Sequence, residues 1–152
     1  MHGCWWEPFV VEDARLCSLC GGLCCQAHPG LYLDPLQFAQ AWNLEGEWEM
    51  REVLYAHSLT LRLCMGIPLP LPLSAERGCV FWGEKGCLLP RWQRPLECLV
   101  LVPSEESLFN GEPSCSIPPQ VSYVECFYRW GQYYHQRGIW SEVKRLAEGH
   151  AT

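Results

Sequence analysis

The 152 residues predict a small, helix-rich α+β domain, cysteine-rich and organised by metal, with one short β-hairpin. Three observations carry that reading. Eleven cysteines crowd the chain, and seven of them form two knots: Cys17, Cys20, Cys24 and Cys25 in CSLCGGLCC, then Cys79, Cys87 and Cys98 in CVFWGEKGCLLPRWQRPLEC. Apolar residues make up 49% and charged residues only 18%, so much of the chain should be buried rather than disordered. The length fits one domain, in the size range where a bound metal can supply much of the folding energy. We therefore expect a single unit over 1–152, a metal-binding core over 17–115 and a C-terminal helical segment over 120–148.

Taken in order, LYLDPLQFAQAWN predicts a helix over about 35–43, with Asp34 as its cap and Pro35 at the first helical position. Leu36, Phe38, Ala39 and Trp42 form its expected buried side. Met50, Val53, Leu54, His57, Leu61 and Cys64 recur at spacings of three and four, which predicts a helix of about five turns ended by Gly66. The prolines of GIPLPLPLSAERG forbid a helix and favour an extended connector packed down by its leucines. CVFWGEKGCLL predicts a hairpin around Gly83 to Gly86 with a cysteine on each arm. LVLVP reads as a short strand and SEESLFNGEPSCSIPP as loop. A closing helix should bury Val121, Val124, Phe127 or Tyr128, Gly131 and Tyr134 before Gly138 interrupts it and WSEVKRLAEG adds a last turn or two.

The cysteine pattern points to metal. Cys17 and Cys20 have the two-residue spacing that lets one turn aim both sulfurs at a common ion, and Gly21 and Gly22 can take the positive backbone angles such a turn needs. With Cys24, Cys25, Cys79, Cys87, Cys98 and Cys115 the chain offers eight candidate thiolate ligands, enough for two four-sulfur sites. Structural disulfides are the rival explanation. The absence of a secretory signal in MHGCWWEPFVVEDAR, the odd cysteine total and the adjacent Cys24 and Cys25 all count against them. Four-thiolate sites suit both zinc and iron-sulfur clusters, so the sulfurs alone leave the metal open. Arg91 and Arg94 stand where they can balance the negative charge of such a centre, or serve as ordinary surface or carboxylate partners. Cys64, Cys126 and His57 read as core residues, Cys4 as a terminal thiol and His28 as a solvated or capping histidine.

On these residues the chain resembles the YkgJ-like CxxCxxCC cysteine-cluster family, whose members are described as zinc- or iron-chelating and also as containing iron-sulfur clusters. CSLCGGLCC resembles its first element and LYLDPLQFA its helix start. Cys79, GCLL at Cys87 and RPLEC at Arg94, Pro95 and Cys98 correspond to the later ones, with Cys115 near its last cysteine. The chain departs by one extra residue between Cys20 and Cys24, by one between Cys87 and Arg94, and by Leu99 where the family has arginine. The resemblance, together with Pro95 three residues before Cys98, implies a 4Fe-4S cluster, with zinc as the alternative.

A formal charge of -6 argues against binding a phosphate backbone, so nucleic acid is not the expected partner. The sequence offers no membrane-length apolar stretch and predicts a cytoplasmic location. It also lacks a phosphate-cradling glycine loop, a nucleophile elbow and paired carboxylates beside a histidine, so no reaction of its own is expected. The expected role is electron transfer, or the structural heart of a subunit that docks on a larger redox enzyme. The alternatives are a structural zinc module that mediates protein interaction, metal delivery, and thiol redox chemistry at Cys17 and Cys20.

Overall fold

The structure is a computed structural model that describes residues 5–9, 29–75, 78–83, 86–100, 102–103, 115–116 and 120–150. Within these lie five α-helices, two 3-10 turns (Glu7–Phe9 and Arg91–Gln93) and four two-stranded ladders, which is a small α+β arrangement.

Helix α1 spans Pro35–Ala41. Asp34 caps it as expected, accepting from the amides of Leu36 at 2.9 Å and Gln37 at 3.3 Å, while the Trp5 indole donates to its other oxygen at 2.8 Å. The buried face, however, is Pro35, Gln37, Phe38 and Ala41, and Leu36 points outward at 59% exposure. Seven residues make only two turns, so the stripe through 35, 38 and 41 is all that one core contact accommodates.

The five-turn helix expected over Met50 to Cys64 is replaced by two elements. Helix α2, Met50–His57, stops where Ser58 takes a left-handed φ of 57° and returns its N–H to the Leu54 carbonyl. Strand β1, Leu59–Cys64, follows and pairs antiparallel with β2, Ile67–Pro72. Between them Met65 and Gly66 both adopt positive φ, 52° and 80°, the two-residue connection whose twist suits a hairpin.

That turn makes Cys64 and Ile67 a hydrogen-bonded pair, so the alternate pairs Leu63–Pro68, Leu61–Pro70 and Leu59–Pro72 are the ones that exchange no ladder bonds. Every proline of IPLPLP therefore sits where an N–H would have pointed away from β1, and the run is a strand rather than a connector. The outward carbonyls are also used: Pro70 accepts from the Tyr32 amide at 2.9 Å and Pro68 from the Tyr134 hydroxyl at 2.6 Å. Met65 is 74% exposed and strained by its positive φ, so Met65→Asn should raise stability by about 1 kcal/mol. An upward shift of the urea midpoint at unchanged slope is the expected reading; a lower midpoint would contradict the turn assignment.

Beyond β2, strand β3 (Ser74–Ala75) pairs with β4 (Gly78–Cys79), and β5 (Trp82–Gly83) pairs with β6 (Gly86–Cys87). The expected hairpin is thus present around Gly83 and Gly86, but Cys79 lies in the preceding ladder instead of on one of its arms. Of the residues read as the strand LVLVP, Leu99 and Val100 are helical and Val102 and Pro103 are extended, while Leu101 lies outside the described residues. Helix α3, Leu96–Val100, follows Pro95, whose carbonyl accepts from the amides of Cys98 and Leu99, and it buries Leu96 and Val100 one turn apart. Only Val102–Pro103 is extended, as β7, paired with β8 at Cys115–Ser116.

Helix α4, Tyr123–Arg137, is capped by the Ser122 hydroxyl and ends at Gly138 with φ 69°. Its inward stripe is Cys126, Trp130, Gly131 and Tyr134, whereas Val124 and Tyr128 are exposed at 60% and 62%. Helix α5, Trp140–His150, is longer than the expected turn or two and packs on β1 through Val143 and Ala147, while α4 covers β2. The core gathers around Trp130, whose ring lies 5.5 Å from Phe38 and 5.2 Å from Tyr134.

Candidate metal centre

Tyr32 lies two residues after Gly30, the glycine that packs on the sulfur of Cys98. It is fully buried, and three contacts hold it: its amide donates to Pro70, its carbonyl accepts from the Trp130 indole at 2.7 Å, and its hydroxyl donates to the Gln93 carbonyl at 2.8 Å. Burial pushes its phenol well above the usual range, and the negative charges of Cys98, Cys87 and Cys79, in that order of strength, push in the same direction. The three cysteines sit on α3, β6 and β4.

Each thiol has its own local setting. Cys79 is buried at 9% exposure. Burial raises its pKa most, a backbone hydrogen bond from Phe81 lowers it, and the neighbouring Cys87 raises it again. An amide two residues on that donates to a sulfur stabilises thiolate charge, as metal-binding turns require. Cys87 and Cys98 are half-buried. Cys98 is pressed against Gly30, where an added Cβ would overlap its Sγ. Gly30 comes five residues after Cys25, so the chain leaving the first knot runs directly beneath Cys98.

The first knot itself, Cys17, Cys20, Cys24 and Cys25, lies outside the described residues, as do Cys4 and His28. Cys115 is placed by its backbone alone, opposite Pro103. Among the described residues, no group of three or more His, Cys, Asp and Glu is arranged to hold a metal ion, so Cys79, Cys87 and Cys98 do not complete a centre by themselves. As a donor set they fit one: three thiols, an N–H donor on one of them and a cradle too tight for any side chain at position 30.

Arg94 is half-buried and donates from Nε to the Leu89 carbonyl at 3.1 Å, while its own carbonyl accepts from the Gln37 amide at 2.8 Å. It braces the turn between Cys87 and Cys98. Arg91 opens the 3-10 turn and is exposed, with its carbonyl accepting from the Arg94 amide.

Cys126 is fully buried and behaves as core, its thiol pushed from 9.0 up to about 12, chiefly by burial. Cys64 is half-buried, and burial raises its thiol too, with Arg62 opposing. It packs against the core from β1 rather than from a helix. His57 is half-buried and stacked on Trp42 at 4.2 Å, with its pKa lowered by burial.

Sequence reasoning missed Gly30, Tyr32, Glu97 and the Phe81 amide. The Pro29-Gly30 dipeptide so close behind Cys25 was a usable signal for the first; a lone tyrosine and a lone glutamate offered none. No helix among the described residues is long and apolar enough to cross a membrane. Comparison with known proteins finds no matching family model, no matching curated protein and no matching solved structure.

Proposed function

We propose that the chain is a thiolate metal-binding protein of the YkgJ-like cysteine-cluster kind, holding a 4Fe-4S cluster and acting in electron transfer or as a structural redox subunit of a larger enzyme. The observation that supports this reading is the close approach of the Gly30 backbone, five residues after Cys25, to the sulfur of Cys98, on a helix that follows Cys79 and Cys87 in the chain. Thiols delivered at short intervals on turns are the donor type that zinc and iron-sulfur centres take up as thiolates. Cys17, Cys20, Cys24, Cys25 and Cys115 supply the remaining ligands, and Arg91 and Arg94 lie in the turn that leads into the helix carrying Cys98. A bound cluster supplies one-electron exchange, whereas zinc in the same thiolates supplies a redox-silent crosslink.

The test is elemental analysis of oxygen-free protein combined with electron paramagnetic resonance. Brown protein with iron and acid-labile sulfide, reduced to less than half the metal content in Cys79→Ser and Cys98→Ser, is the expected result. Colourless protein with stoichiometric zinc would replace the cluster by the zinc alternative. Metal-free folded protein, or full metal retention after replacing Cys79, Cys87 and Cys98 together, would end the proposal.

A further inference from the structure

Glu97 is a buried carboxylate, 6% exposed, one residue before Cys98. Its Oε1 accepts from the Leu31 amide at 2.9 Å, and its own amide donates to the Leu31 carbonyl at 3.1 Å. Its Oε2 accepts from the Tyr123 hydroxyl at 2.6 Å. The two-way bond joins residues 66 positions apart, and each partner adjoins a residue of the candidate centre: Leu31 follows Gly30, and Gly30 packs on the sulfur of Cys98. Tyr123 brings in the first turn of α4, so one carboxylate gathers three parts of the chain.

Taking a carboxylate out of water costs several kcal/mol, on the order of what one or two good hydrogen bonds to it return. Stability by itself would be served as well by an apolar contact, so the geometry of these bonds is what the charge supplies. Both oxygens face donors, Leu31 N–H and Tyr123 O–H, a pattern that a carboxylate satisfies without itself donating.

From this we infer that Glu97 is a positioning residue for the metal centre: it latches the backbone at Gly30 and Leu31 to the helix that carries Cys98, fixing the position of the Cys98 sulfur. The inference rests on the metal-binding reading above. Glu97 acts through Leu31 and Gly30.

The experiment compares Glu97→Ala, Glu97→Gln and Tyr123→Phe with the unaltered chain, loaded anaerobically and challenged with a chelator, with circular dichroism and Leu31 amide exchange followed in the metal-free proteins. Glu97→Ala should surrender metal at roughly tenfold lower chelator or less while keeping its helical signal, because partners that orient ligands are worth about that much in affinity. Glu97→Gln, which can still accept from Leu31 and offer its amide to the Tyr123 oxygen, should stay within about threefold of the parent and speed Leu31 exchange far less than alanine does. A folded Glu97→Ala with the parent's chelator resistance would overturn the inference. Should Glu97→Ala fail to fold, Tyr123→Phe decides: easier metal loss by about threefold supports the latch, and unchanged retention refutes it. A parent protein that takes up no metal is a different result, which removes the metal reading and this inference with it.

Discussion

Trp130→Ala should cost about 5 kcal/mol, a large part of the stability of a domain this size, and leave the protein substantially unfolded near room temperature. Trp130 is fully buried at the meeting point of Phe38, Tyr133 and Tyr134, so truncation opens a cavity that rigid aromatic neighbours cannot close. It also removes the indole N–H that satisfies the buried Tyr32 carbonyl at 2.7 Å, and an unpaired buried carbonyl adds about 1–3 kcal/mol. Trp130→Phe separates the two effects, since it keeps most of the ring and loses the donor; a cost of about 2–3 kcal/mol is expected. Urea titrations followed by circular dichroism measure both. A Trp130→Ala protein within about 1 kcal/mol of the parent would mean that the aromatic cluster is not the core.

Gly30→Ala should both destabilise the protein by about 1–3 kcal/mol and release metal. The new Cβ would overlap Cys98 Sγ and would also meet the Cys98 amide nitrogen at 3.4 Å and the Glu97 Cβ at 3.6 Å, so neither sulfur nor helix can yield without moving the ligand. Metal per protein should fall by more than half in analysis of anaerobic preparations. Gly149→Ala is the control, because nothing lies within 4 Å of a Cβ there, and alanine in a helix should add up to about 1 kcal/mol with metal unchanged. Full metal content in Gly30→Ala would show that Cys98 can move freely, and the proposed centre would lose its strongest geometric support.

Much of this architecture could be read from residues, and the failures share a cause. Asp34 and Pro35 announce α1 because capping chemistry is local, and Gly138 announces the break between α4 and α5 for the same reason. The stretch from Met50 to Cys64 misleads because Leu61 and Cys64 continue the helical spacing of Val53, Leu54 and His57, while LTLRLC also alternates as a strand does. What decides between them is the partner, IPLPLP, whose prolines every second residue fit a ladder only at its unbonded positions. LVLVP is half right: Val102 and Pro103 are extended, but the helix that begins after Pro95 runs through Leu99 and Val100 because the core takes Leu96 and Val100 from one side.

At the site, the expectation that Cys79, Cys87 and Cys98 converge comes from their short spacing on turns, and among the described residues they form no complete metal-holding group. Tyr32 and Glu97 were not visible, because each matters through a contact with a residue more than sixty positions away. Such contacts leave no periodic trace.

The prolines of β2 carry one more consequence. A strand at the rim of a sheet ordinarily offers an alternating row of donors and acceptors on which a second polypeptide can lengthen the sheet, and this is how native hairpins seed fibrils. On its outer rim β2 has no donor at Pro68, Pro70 or Pro72, and the acceptors at Pro68 and Pro70 are already occupied by Tyr134 and Tyr32. Even if α4 peeled away, an approaching strand would find no proline N–H to bond its carbonyls, so this rim of the hairpin is guarded against strand addition by covalent structure rather than by surface charge.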